Sequence, residues 1–185
     1  VVRFISEIVT RGAMATSKTG SFWLTEVVEL PASSSSGDRA VGTIDLGAYV
    51  DVGDQQAIAI EQVDFIWQAG GDYGSDPAGL VAANDAALGA QLTDLNPGTA
   101  FVRADDNNLV ASGALIIDNQ MGTSHSADFY PDIFGKLDES RMIVNDQLYL
   151  TIGVDGAASG TVVDYCTVRI KARIVKLSTK DWMAI

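Results

Sequence analysis

Val162-Val163-Asp164-Tyr165-Cys166-Thr167-Val168-Arg169-Ile170-Lys171-Ala172-Arg173-Ile174-Val175-Lys176-Leu177 is the stretch whose reading decides the fold. Cys166, Val168, Ile170, Ala172 and Ile174 fall on one side of an alternating run, and Thr167, Arg169, Lys171 and Arg173 on the other. A period of two held over this length describes a strand with one face on a core and one on solvent or a partner. The lone cysteine shares the apolar side, so it reads as a small buried residue, with a reactive thiol as the alternative.

Upstream, further strand-like segments are separated by turn residues. Phe22 to Leu30 is rich in aromatic and β-branched residues and closes on Pro31 and a serine-rich tract at Ser33–Ser36. Val41 to Val52 follows. Ala57 to Trp67 alternates through Ile58 and Ile60, then through Val63, Phe65 and Trp67 one residue out of step, and that slip predicts a β-bulge at Glu61-Gln62. The alanine-rich stretch from Gly79 to Asn96 reads as a loop excursion with one or two helical turns, ending in a short strand near Gln91 to Leu95. Phe101–Arg103 and Leu109–Asp118 read as a hairpin around Asp105-Asp106-Asn107-Asn108, with a loop over Asn119–Glu139 and one strand over Met142–Val154. Seven or eight strands without βαβ alternation predict an all-β, antiparallel jelly-roll barrel or sandwich of about eight strands over residues 21–185. Ahead of it, residues 1–20 form a short arm. Val2, Ile5, Ile8 and Val9 fall on one helical face, suited either to docking on a partner or to packing as a terminal segment. The chain opens Val1-Val2 without an initiator methionine, which reads as processing or cropping.

The 185 residues carry 24 acids, 19 of them aspartate, against 12 bases, for a net charge of −12. That sign disfavours nucleic acid and anionic lipid as partners over most of the surface. Abundant aspartate and only five lysines point to adaptation to concentrated salt, with an ordinary acidic protein as the alternative. Yet five of the bases (Arg169, Lys171, Arg173, Lys176 and Lys180) fall in the last 17 residues. The outward-facing Arg169, Lys171 and Arg173 form a stripe that either guards a strand edge or meets acidic groups on another subunit or lipid headgroups.

Catalytic templates fail on inventory, and no enzyme activity, cofactor or metal is expected. His125 is the single histidine, and its neighbours Ser124, Ser126 and Asp128 sit beside it on one segment, where a triad needs groups converging from separate elements. One histidine and one cysteine do not make the usual zinc set. No phosphate-binding glycine loop occurs, and Asp105-Asp106-Asn107-Asn108 offers at most a weak site for a hard cation.

Ala57–Trp67, Met142–Val154 and Val162–Ile185, set in a chain of this length and acidity, resemble the smaller single jelly-roll major capsid protein of tailless icosahedral archaeal viruses that infect halophiles and carry an internal membrane. The resemblance implies a vertical single barrel, assembly with a second related capsid protein into pseudo-hexameric capsomers, and a location in the virion shell around a lipid vesicle. It implies no active site. The competing reading is a carbohydrate- or ligand-binding β-sandwich, with Tyr73 and Phe129-Tyr130 as stacking surfaces, and a third is an enzyme on the same scaffold.

A charge of −12 on one small domain repels itself, and screening relieves that repulsion. The melting temperature is expected to rise from ~0.1 M salt, where the Debye length is about 10 Å, towards molar salt. A melting temperature that stays flat across this range removes the case for salt adaptation.

Overall fold

The computed structural model describes residues 15–72, 77–82, 85–131, 134 and 141–183. Its strands are β1 (Ala15–Ser17), β2 (Phe22–Leu30), β3 (Arg39–Asp45), β4 (Gln56–Ala69), β5 (Ala86–Thr93), β6 (Leu109–Asp118), β7 (Thr123–Tyr130), β8 (Arg141–Ile143), β9 (Gln147–Asp155) and β10 (Asp164–Leu177). A 3₁₀ turn spans Pro77–Leu80, and a single-turn helix α1 spans Thr179–Trp182. No helix among the described residues is long and apolar enough to cross a membrane.

Two antiparallel sheets face each other. One runs β2-β10-β4-β8, with β1 continuing alongside β10 past the start of β2, and the other runs β3-β9-β5-β6-β7. With β1 and β7 set aside, four strands face four, and the chain changes sheet at every connection except β5–β6. That order is a jelly roll, two Greek keys wrapped on one core.

β10 is central because both of its edges are paired over most of its length. Leu24, Val28 and Leu30 of β2 stand abreast of Ile170, Cys166 and Asp164, and Val63, Phe65 and Trp67 of β4 stand abreast of Ile170, Val168 and Cys166. Cys166, Val168, Ile170 and Ala172 are fully buried. On the facing sheet Leu148, Leu150, Ile152 and Val154 of β9 and Leu88 and Leu92 of β5 complete the core. Glu61 is the bulged residue of β4: Lys171 pairs with Gln62 and Ala172 with Ile60, so the slip in the alternation marks the bulge. Burial also pushes the Cys166 thiol well above its ordinary range, which keeps it protonated and inert.

Five segments differ from the sequence expectation. Ala86, Leu88, Ala90 and Leu92 alternate inward as β5, so the alanines serve a pleated strand and not helical turns; packing against β6 and β9 overrides local propensity. The hairpin partner of β6 is therefore β5, and Phe101–Arg103 has no strand pairing. Within the expected loop after Asn119, β7 adds a strand beside β6. Met142–Val154 breaks at 144–146 into β8 and β9, which lie in different sheets. Finally, Ala15–Ser17, expected as flexible lead-in, pairs with Val175–Leu177. Most of the arm read over 1–20 lies outside the described residues.

At the far end of β10 the outer face turns apolar. Ala57, Ala59, Met142, Val175 and Leu177 form a second buried cluster, with Trp182 of α1 packed against it. Ser178 caps α1 by accepting the Asp181 N–H at 3.2 Å.

Ile170 sits at zero exposure between two paired strands, and an unpaired buried charge has no compensating interaction there. Ile170→Asp is expected to abolish the folded circular-dichroism signature, whereas Lys171→Asp, one residue along on the outward side, leaves it intact. A folded Ile170→Asp protein contradicts this register.

Candidate assembly face

The outer side of β2, β10 and β4 is a ruled surface whose rows follow from strand register. Trp23, Lys171 and Gln62 form one row; Thr25, Arg169 and Asp64 the next; then Val27, Thr167 and Ile66; then Glu29, Tyr165 and Gln68. No described element covers these rows. Trp23 is 48% exposed and Val27 49% exposed, unusual for large apolar side chains in the middle of a paired strand. The Arg169 guanidinium lies 5.6 Å from the centre of the Trp23 ring, a cation–π contact on an open surface. Arg169 is exposed, Lys171 is half-buried, and neither makes an ion pair among the described residues.

Arg173, the third member of the stripe, has a different role. Its Nε donates to Glu61 Oε1 at 2.7 Å, and its Nη2 donates to Ser21 Oγ at 3.0 Å. Ser21 Oγ in turn donates to Glu61 Oε2 at 2.7 Å. One turn of chain away, the Ile174 N–H donates to Thr19 Oγ1 at 3.1 Å and the Lys18 N–H to the Ile174 carbonyl at 2.8 Å. The bulge at Glu61 brings its carboxylate to Arg173, and together they clasp residues 17–21 onto β10. The structure thus leaves Arg169 and Lys171 open on the face and commits Arg173 to an internal pair. Val2, Ile5 and Ile8 lie outside the described residues.

Trp23 and Val27 were not singled out in the sequence, although their signal was present. In Phe22–Leu30 both alternating sets carry apolar residues, which is what a strand with a core face and a second sticky face looks like.

The other candidates are placed as follows. His125 is exposed on β7 opposite Ile116, and Ser124 and Ser126 alternate to the other side of that strand. Asp106 accepts the Asn108 N–H at 2.9 Å inside its own turn, and no group of three or more potential metal ligands occurs among the described residues. Phe129 and Tyr130, 54% and 49% exposed, wall a groove of about 540 Å³ on the outer side of the second sheet. Ala87, Gly89, Ser112 and Ala114 floor it and Phe101 forms the opposite wall. A Cβ on Gly89 would lie 3.0 Å from the Phe101 ring and one on Gly113 3.0 Å from Phe129, so each ring rests directly on backbone. Gln91 fixes the Phe101 wall by donating to the Val102 carbonyl and accepting the Val102 N–H at 2.9 and 2.8 Å. Tyr73 lies outside the described residues.

No protein-family model and no curated protein matches the chain. Among solved structures, VP1 of Merkel cell polyomavirus in complex with 3'-sialyllactosamine aligns over 89% of this chain and 98% of its own at 8% identity, with a TM-score of 0.43. VP1 of Trichodysplasia spinulosa-associated polyomavirus in complex with GM1 oligosaccharide covers 89% and 97% at 6% identity, TM-score 0.39. A structure of Desmodium yellow mottle tymovirus covers 86% and 90% at 7% identity, TM-score 0.33. All three neighbours come from viruses. The fold assignment for this chain rests on its own strand order.

The clasp and the open cations make separable predictions. Removing Arg173 leaves the half-buried Glu61 carboxylate without its charged donor, so Arg173→Ala is expected to cost about 1–3 kcal/mol in denaturant unfolding. A double-mutant cycle with Glu61→Gln should return much of that as coupling. Arg169→Ala, on the open face, should stay within about 0.5 kcal/mol. Equal costs for the two arginines contradict the distinction.

Proposed function

We propose that this chain is a structural capsid protein, a shell-forming subunit whose copies meet through the outer face of β2, β10 and β4. The observation that carries the reading is the uncovered face itself, where Trp23 and Val27 stand beside Arg169 and Lys171 on an otherwise acidic chain. Apolar side chains drive association there, and the two cations choose an acidic counterpart over a second basic face. A copy of the same chain offers that acidity on most of its surface.

In its fuller form the proposal places the protein in the virion of a tailless icosahedral virus of halophilic archaea. A second related capsid protein completes the capsomers, and the shell surrounds an internal membrane. Supporting this form are the chain length, the jelly-roll order, the aspartate-rich surface, and an amphipathic N-terminal segment reading through Val2, Ile5 and Ile8. Molar salt would screen the mutual repulsion of close-packed acidic subunits. The binding-module reading retains one observation in its favour, the aromatic-walled groove at Phe101, Phe129 and Tyr130.

Assembly is tested with the purified protein in molar salt, by light scattering and electron microscopy, against the double variant Arg169→Glu/Lys171→Glu. The wild type should form particles or capsomers, alone or once its companion capsid protein is added, and the double variant should stay a folded monomer. Each open-face pair contributes only ~0.2–1 kcal/mol, but it recurs at every copy in a shell. Normal particles from the double variant remove the face from assembly. A wild type that remains a monomer in every salt and with its companion overturns the capsid reading in favour of the groove.

A further inference from the structure

Asp164 opens β10 on its inward face, two residues before Cys166, and is fully buried. It is the only acidic or basic residue among the described ones with no solvent exposure of consequence, and neither carboxyl oxygen has a hydrogen-bond partner. Directly abreast are Leu30 on β2 and Ala69 on β4, both apolar. Of the charged groups on these three strands, Glu29, Asp64 and Arg169 alternate onto the outer face, whereas Glu26, abreast of Val168 four positions along β10, is half-buried on the inward side and lies towards Gly42 of the facing sheet. Asp38, Asp72 and Asp85, on the described parts of the loops at this end of the barrel, are exposed. On the facing sheet Arg39 and Asp155 pair with each other at 2.9 Å.

Around Asp164 the barrel end is closed by neutral hydrogen bonds. The Gly70 N–H donates to the Val163 carbonyl at 2.8 Å, and the Ser33 N–H to the Gly160 carbonyl at 2.8 Å. Ser34 N–H donates to Ser159 Oγ at 2.8 Å, Ser159 N–H to the Ser34 carbonyl at 2.8 Å, and Gly160 N–H to the Leu80 carbonyl at 3.1 Å. The described parts of three loops are thus knitted together at the end of the barrel where Asp164 lies, and among the described residues no donor reaches its carboxyl group, which leaves water entering between them to solvate it.

We infer that Asp164 is a proton-operated latch: protonated, it lets these loops close over the end of the barrel, and ionised, it drives them open to hydrate the carboxylate. A neutral carboxyl loses only hydrogen bonds on burial, whereas a carboxylate also loses its ionic hydration, so closure and proton retention are coupled. In keeping with this, burial alone raises the carboxyl from its ordinary 3.8 to about 7, with no neighbouring charge contributing. The folded pKa is the higher one, so stability is greatest below the unfolded value near 3.8, falls as pH rises through the interval, and levels off above about 7. Other carboxylates obscure the acid part of that window, so the informative range is pH 6 to 8.5. There the folding equilibrium should weaken about tenfold.

The experiment compares wild type with Asp164→Asn, with His125→Gln as a control for the exposed histidine of β7. Wild type and His125→Gln should lose about tenfold in the denaturant-derived folding constant between pH 6 and 8.5, and Asp164→Asn should be flat. Amide protection factors, corrected for intrinsic exchange, should fall over the same range at Ser33, Ser34, Ser159 and Gly160 in wild type and hold steady in Asp164→Asn. If Asp164→Asn does not fold, the wild-type carboxyl carbon resonance of Asp164 decides by its midpoint. A midpoint near 4, a pH slope that survives in a folded Asp164→Asn, or unchanged protection of the four amides overturns the latch.

Discussion

Burial of the inward face of β10 between β2 and β4 is the constraint on which the rest of this molecule depends. Cys166, Val168, Ile170 and Ala172 sit at zero exposure, and each is flanked by a residue of the neighbouring strands whose own inward position is set by the same register. A slip of one residue in β10 would place Arg169 and Lys171 in the core and Ile170 in water. The partners of β10 come from β2 and β4, no later than Ala69, so this alignment is established only when the C-terminal segment returns across more than half of the sequence. Topologies of that kind close large loops before their contacts reward them.

The same strand sets the outward chemistry. Because β10 stays in register with β2 along its length, Arg169 and Lys171 are held beside Trp23 and Thr25, and an apolar strip acquires a basic margin. The irregularity in its pairing with β4, the extra residue at Glu61, has a local use: it turns a carboxylate towards Arg173 and fastens residues 17–21 at the barrel edge. Bulges at sheet margins commonly re-aim a side chain in this way. Sequence spacing had made the three bases equivalent, and the bulge separates them into two open charges and one internal pair.

Polar groups at the ends of the barrel follow one rule with one exception. The loops that close over Asp164 satisfy their backbone groups with serine hydroxyls and with each other, at 2.8 to 3.1 Å. Gln91 does the same for the segment carrying Phe101. Among the described residues Asp164 is the one carboxyl group with neither oxygen paired, Thr151 Oγ1 and one oxygen of Asp94 being the other buried atoms without a partner, and such a group marks a place where stability is given up.

The period-two patterns of Phe22–Leu30, Ala57–Trp67 and Val162–Leu177 determined by themselves that the protein is antiparallel and all-β, where the bulge of β4 lies, and which side of β10 is buried, because alternation is a property of the individual strand. Composition likewise determined its acidity. What only the tertiary structure decided was partnership. Ala86–Thr93 is a strand because β6 and β9 flank it, although its alanines favour helix. Met142–Val154 is two strands because its halves satisfy different sheets. Arg173 leaves the open face because Glu61 and Ser21 converge on it from distant segments. Asp164 is singular because the residues abreast of it are Leu30 and Ala69. Each of these outcomes depends on neighbours brought together by folding from elsewhere in the chain, and no local period encodes them.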